Sequence, residues 1–180
     1  EYGSDVQKKV VTHHISNGGM SRFEKINYYH KNFLGKIISK KENEEICKDF
    51  SKLVLDKVIS APEIAKAEEF LDHNKNKLTF INTGTPTNEI NLILKKRGLY
   101  HYFDNVYGSP RTKNENIEII LYKYDLNSCD CIFFGDATSD LNAARYFDID
   151  FVGVGKYIKK YLNKNEYYIN NFSDLNLWNI

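Results

Sequence analysis

Cysteine is scarce: Cys47, Cys129 and Cys131 are the only three in 180 residues. An odd, sparse set excludes a disulfide framework and fits a reducing compartment, so the expected location is cytoplasmic. Cys129-Asp130-Cys131 brings two thiols together, but no further Cys or His stands at ligand spacing. A zinc site is therefore not expected, and the pair reads as the start of a strand. No apolar run approaches the length of a membrane span. The first residues, Glu1-Tyr2-Gly3-Ser4-Asp5, lack the apolar core of a signal peptide. They also lack a Met, so the chain is expected to begin inside a longer protein. Neither sign of charge dominates: 25 basic residues oppose 24 acidic ones, for a net charge of +1. No basic face is implied, and nucleic acid is not an expected partner. No G-x-G-x-x-G opens a helix after a strand, which argues against a dinucleotide-binding domain. Internal repeats and low-complexity linkers are absent.

What remains is an ordinary globular composition, 42% hydrophobic and 27% charged, of a size that suits one domain or a core with a small helical insert. Two regimes divide it. Up to about residue 60 the pattern is helical. Ser21-Arg22-Phe23-Glu24 is a capping box that opens a helix through Tyr28, Tyr29 and Phe33, with Gly35 closing it. A second helix is expected from about Glu42 to Val58, with Ile46, Phe50, Leu53 and Val54 on its apolar face. Pro62 suits the first position of a third, carrying Ile64, Ala67, Phe70 and Leu71.

From residue 61 the chain alternates strand and helix. Strands are expected at Leu78–Ile81, weakly at Phe103–Tyr107, at Cys131–Phe134, at Phe151–Val154 and at Tyr167–Ile169. Helices are expected after Thr85-Pro86, through Ile117, Ile120 and Leu121, and from Asp140 to Tyr146. The first of them ends in Lys95-Lys96-Arg97-Gly98, cations in the last turn and Gly just beyond it. Such alternation implies an α/β fold with a parallel, Rossmann-like sheet flanked by helices. Ligands of open parallel sheets bind at the carboxyl ends of the strands, so those ends hold the candidate residues.

The first strand runs into Asn82-Thr83-Gly84-Thr85-Pro86. A hydroxyl-rich turn at a helix N-terminus suits a phosphate, although Thr85 is also explained as a plain N-cap. The second leads to Gly108-Ser109-Pro110-Arg111-Thr112-Lys113, where the lysine either reaches the same anion or is a surface lysine at a helix start. The third leads to Gly135-Asp136-Ala137-Thr138-Ser139-Asp140. Two carboxylates at i and i+4 after an apolar strand suit Mg²⁺, which takes one or two carboxylates, waters and a substrate phosphate; helix and turn capping is the alternative. Together, a hydroxyl, a lysine and a carboxylate pair at successive strand ends are equipment for handling a phosphoryl group beside a metal.

These segments resemble the haloacid dehalogenase (HAD) superfamily. Phe80-Ile81-Asn82-Thr83-Gly84-Thr85 is similar to its second motif, Thr112-Lys113 to its third, and Phe133–Asp140 to its fourth, a GDxxxD carboxylate pair. Residues 1–60 are similar to the helical cap inserted after the first motif in many members, leaving residues 61–180 as the core. The stretch Asn17–Phe23 resembles a subgroup associated with surface-polysaccharide gene clusters. The family's first motif, an apolar strand followed by DxDxT or DxDxV, has no counterpart; Asp148-Ile149-Asp150 is the only DxD and no apolar strand precedes it. The core is thus expected to lack its first, central strand. The resemblance implies a phosphatase acting on a small phosphorylated metabolite, a sugar phosphate among the options, through an aspartyl phosphate formed on an upstream Asp. It implies catalytic roles for Thr83, Lys113 and Asp136, metal binding by Asp136 and Asp140, and phosphoryl binding by Thr83 and Gly84, with Thr85 in the same turn. Arg22 is the candidate substrate contact from the cap. A phosphomutase shares all these motifs, and a non-catalytic fragment or binding module is the reading from another class.

Overall fold

The computed structural model describes residues 3–175. Its first third is helical: α1 (Gly3–Ser16), α2 (Arg22–Phe33) and α3 (Lys40–Ile59). A short α4 (Ala67–His73) follows. Then β1 (Phe80–Pro86), α5 (Thr87–Lys96), β2 (Asn105–Ser109), α6 (Lys113–Lys123), β3 (Ile132–Gly135), α7 (Thr138–Tyr146), β4 (Asp150–Val154) and β5 (Tyr167–Ile169) alternate as expected. Local chemistry sets several boundaries. The Ser21 hydroxyl accepts from Glu24 N at 3.3 Å while Ser21 N donates to the Glu24 carboxylate at 3.2 Å, completing the capping box of α2. Ser39 with Glu42 does the same for α3, and Thr112 with Glu115 for α6. Gly98, at φ +74°, stops α5 in the left-handed conformation that only glycine adopts cheaply.

Three expectations need correction. Pro62 does not start a helix: the chain stays irregular until Lys66, whose own left-handed backbone (φ 63°) blocks propagation, and α4 begins at Ala67. Thr85 is not an N-cap, because β1 runs on through Pro86 and α5 starts at Thr87. The inward face of α3 is not the apolar one. Ile46, Phe50 and Leu53 are exposed, whereas Asn43 and Cys47 are buried. Polar partners decide this rotation. Asn43 Nδ2 donates to the Phe23 carbonyl at 2.9 Å, Cys47 donates to Asn43 Oδ1, and Ser51 meets Glu89 of α5.

All strand pairs are parallel, and they form two sheets: β1 with β2, and β3–β4–β5 with β4 in the middle. Both faces of β4 are covered, as parallel sheets require. Phe151 packs with Leu141, Ala144 and Ile158 on one face, while Val152 and Val154 pack with Ile169 on the other. Phe70 of α4 extends that second face, its ring 5.2 Å from Phe134 and 5.0 Å from Phe172. β1 and β3 are each paired along one edge only. Their burial matches: β1 is half-buried throughout, and Ile132, which opens β3, is 45% exposed. The apolar third strand is thus only partly buried, from exposed Ile132 to buried Gly135. Among the described residues no helix is long and apolar enough to cross a membrane.

Candidate active site

The carboxyl ends of β1, β2 and β3 meet. Thr112 caps α6 and so sets Lys113 at its first position. Lys113 Nζ forms an ion pair with Asp140 Oδ1 whose side chains are 12% and 5% exposed. The other Asp140 oxygen accepts from Ala137 N at 3.1 Å, which caps the start of α7. Gly135 makes room for this carboxylate, since a Cβ there would lie 2.3 Å from the Asp140 Cβ. Burial pushes the Asp140 carboxyl above the ordinary carboxylate range. Lys113 and the Ala137 N–H pull it down, and the charge of Asp136 pushes it up again. Asp136 itself, at the end of β3, is exposed.

Two carboxamides, one half-buried and one buried, tie β1 to this pair. Asn82 Nδ2 donates to the Lys113 carbonyl at 3.0 Å, and Asn116 Nδ2 donates to Asn82 Oδ1 at 2.9 Å, with Asn116 wholly buried. The backbone of Lys113 is thereby fixed relative to the next residue of β1, Thr83. The Thr83 hydroxyl accepts from Thr85 N at 3.2 Å. Thr85 turns toward β2, where a Cβ on Gly108 would lie 2.3 Å from its carbonyl oxygen.

The segment linking α1 to α2 closes over these residues. Ser139 Oγ donates to the Gly18 carbonyl at 3.3 Å. A Cβ on Gly19 would lie 2.0 Å from Ser139 Oγ and 3.3 Å from Lys113 Nζ, and one on Gly84 would lie 2.8 Å from the Gly19 carbonyl oxygen. One glycine thus touches the ends of β1 and β3 and the lysine that follows β2. Gly84, Lys113 and Asp140 are brought together, with Thr83 adjoining and Asp136 near enough for its charge to act on Asp140.

Arg22 is placed elsewhere. Its guanidinium makes a two-pronged pair with Glu89 on α5 (2.7 and 2.8 Å), lies 5.0 Å over the Phe50 ring and donates to Ser51, which itself donates to Glu89 at 2.6 Å. Sequence reasoning missed Ser139, Gly18, Gly19 and the two asparagines. Ser139 lay inside a recognised motif and the paired glycines stood just before a capping box, so both carried a signal. Asn116 carried none, because a polar residue beside Ile117 looks solvent-facing until its partner is known.

Magnesium was the expected cofactor. Among the described residues no group of three or more His, Cys, Asp or Glu side chains gathers as a metal cage. The two carboxylates present fit a cation that retains waters and takes its remaining ligand from a substrate phosphate, with Asp136 open to solvent and Asp140 held beside it.

A family profile described as haloacid dehalogenase-like hydrolase matches residues 2–154. The chain belongs to that family. The fold agrees with solved structures that share it. The β-phosphoglucomutase (pgmB) of Clostridium difficile aligns with a TM-score of 0.71 at 21% identity, over 97% of this chain and 85% of that one. A predicted phosphoglycolate phosphatase from Haemophilus somnus 129pt gives 0.70 at 17% identity, over 96% and 80%. The haloacid dehalogenase-like hydrolase SP0104 from Streptococcus pneumoniae gives 0.62 at 20%, over 76% and 70%. No curated protein matches the chain.

Proposed function

We propose that this chain carries the phosphate- and metal-binding part of a magnesium-dependent phosphatase that acts on a small phosphorylated metabolite. The observation that carries the reading is the buried Lys113–Asp140 pair beside Gly84 and Asp136, roofed by Gly19. Isolating a lysine and a carboxylate from water at converging strand ends is costly for stability alone. It is well suited to a site where a dianionic phosphoryl group brings further negative charge.

Lys113 neutralises charge on the transferring group, and the Thr83 hydroxyl and Gly84 N–H donate to its oxygens; these contacts strengthen as charge redistributes in the transition state. Asp136 and Asp140 would hold Mg²⁺, which when bound would supply further charge neutralisation. The nucleophile is an Asp on an extended segment upstream of Glu1, seated between the open edges of β1 and β3; its carboxylate attacks phosphorus as the bond to the alcohol oxygen breaks, the alcohol takes up a proton and leaves, and water then hydrolyses the aspartyl phosphate to free Asp and phosphate. Residues 1–60 serve as the cap that excludes water and selects the substrate, and residues 61–180 as the core. Arg22 in this scheme fastens cap to core through Glu89, and meets substrate only if Glu89 releases it.

The test is phosphate release from a panel of phosphate monoesters by a chain extended upstream through its next apolar strand, with Mg²⁺ and with chelator. Release is expected only with Mg²⁺, and Asp136→Ala and Lys113→Met are each expected to lower kcat by about a hundredfold or more. Metal-independent release, or full activity in Asp136→Ala, overturns the reading. Conversion of a sugar phosphate without net release, dependent on a bisphosphate, identifies a mutase instead.

A further inference from the structure

Lys25, in the first turns of α2, is 6% exposed, yet among the described residues no carboxylate pairs with it. Among the described residues its ammonium makes one hydrogen bond, to His14 Nδ1 at 3.3 Å. An ammonium has three donors, so two remain unused. Burial, followed by the charges of Lys25 and His13, holds His14 below the ordinary histidine range, and because an ammonium can only donate, Nδ1 accepts in this bond. On the same two helices, the Tyr29 hydroxyl and His13 Nδ1 are buried with no hydrogen-bond partner among the described residues. Tyr29 stands one helical turn after Lys25, with its ring edge-on to His13 at 5.3 Å. The α1–α2 interface therefore holds a buried cation and two orphan polar atoms, with no acid to balance them.

Packing does not call for this arrangement. A buried ammonium is expensive, and a leucine or methionine would fill the space without that cost. The location supplies a reason. His14 lies in the last turn of α1, which ends at Ser16, just before the turn whose Gly18 bonds Ser139. Lys25 lies four residues after Ser21, at the end of α2 that joins the same Gly18–Gly19 linker over Lys113. Lys25 and His14 thus stand on the two helices that this linker joins, each next to its own end of the linker.

We propose that Lys25, seated by His14, binds an anionic oxygen group on the part of the substrate that does not transfer. The preferred substrates are then phosphate monoesters whose alcohol portion carries a second anion, either a carboxylate or another phosphate. The inference rests on the functional reading above.

Calorimetric titration of the upstream-extended chain with Mg²⁺ tests it. The probes are orthophosphate and alkyl phosphates of graded length ending in methyl, carboxylate or phosphate, and the last two ends separate the two sources of charge. In the unaltered protein one anionic series binds about tenfold or more tighter than its methyl-ended counterpart. Lys25→Met abolishes that gain but leaves orthophosphate affinity unchanged, and Lys25→Arg keeps much of the gain. The thermal midpoint of Lys25→Met does not fall, because a buried charge is removed. Lack of any gain in the unaltered protein, its persistence in Lys25→Met, or a lowered midpoint overturns the inference. Failure to bind orthophosphate at all overturns the functional reading beneath it as well.

Discussion

At the residue scale, the ends of the strands are where sequence and structure agree best. The places of Asp136, Asp140, Lys113 and Thr83 in the fold were legible because each follows an expected strand, and topology sends such ends to one rim. The groups that hold them in place were less legible, because a close contact leaves no local pattern. Gly19 shows the difference. Its backbone is left-handed at φ +76°, and an added Cβ would fall 2.0 Å from Ser139 Oγ. Gly35 is also left-handed, at φ +62°, but nothing lies within 4 Å of its missing side chain. Gly19→Ala should therefore do two things where Gly35→Ala does one. Both lose about 1 kcal/mol through backbone strain, measured by denaturant unfolding. Only Gly19→Ala should also push the linker off Ser139 and Lys113 and weaken orthophosphate binding. Equal phosphate affinities in the two variants would show that the linker does not shape the site.

At the element scale, helix starts were readable and helix rotations were not. Capping boxes depend on two side chains three residues apart, so the one at Ser21 could be read directly. The rotation of α3 depends on Phe23, Arg22 and Glu89, which lie far away in sequence, and so its apolar stripe misled. The same polar contacts make α5 a brace. Glu89 near its start holds Arg22 and Ser51, and Arg97 just beyond its end donates to the carbonyls of Val58, Ile59 and Ala61 as α3 finishes. The Arg22–Glu89 side chains are only 15% and 10% exposed. Removing either charge strands the other, so Arg22→Met and Glu89→Met should each cost about 3 kcal/mol. Joining Arg22→Met with Glu89→Met should recover much of that loss in a double-mutant cycle. Additive losses would mean the pair does not couple the two helices. A more exposed tie, Arg145 with Glu166, joins α7 to the segment before β5. The Arg145 bonds, helped by Asn163 N, hold the Glu166 carboxyl below the ordinary range. A lowered carboxyl contributes stability that is present above its unfolded value, near pH 4.3, and fades as pH falls through the lower folded one. Arg145→Met should thus lower stability by about 0.5–1 kcal/mol at pH 7, given the exposure of the arginine. The deficit should vanish in acid, read from unfolding curves at several pH values; a deficit of constant size would assign the loss to packing.

At the scale of the whole molecule, the α/β alternation foretold the parallel strands. The strands part into β2–β1 and β3–β4–β5, while Lys113 and Asp140 bridge the two groups at one rim. Unpaired edges carry backbone groups that a further strand satisfies, and β1 and β3 each present one. If an upstream extended segment pairs with both, amides over 80–84 and 132–135 should exchange hydrogen rapidly in the 180-residue chain. In a chain extended upstream they should become as protected as those of β4. The same extension should raise the thermal midpoint by several degrees, since each kilocalorie per mole shifts it by roughly 2–8 °C in domains of this size range. β4 is paired on both sides in either chain and serves as the internal reference. Unchanged exchange over β1 and β3 alongside a stable β4 would mean that the two sheets are complete as they stand. The nucleophile would then have to be sought somewhere other than between them.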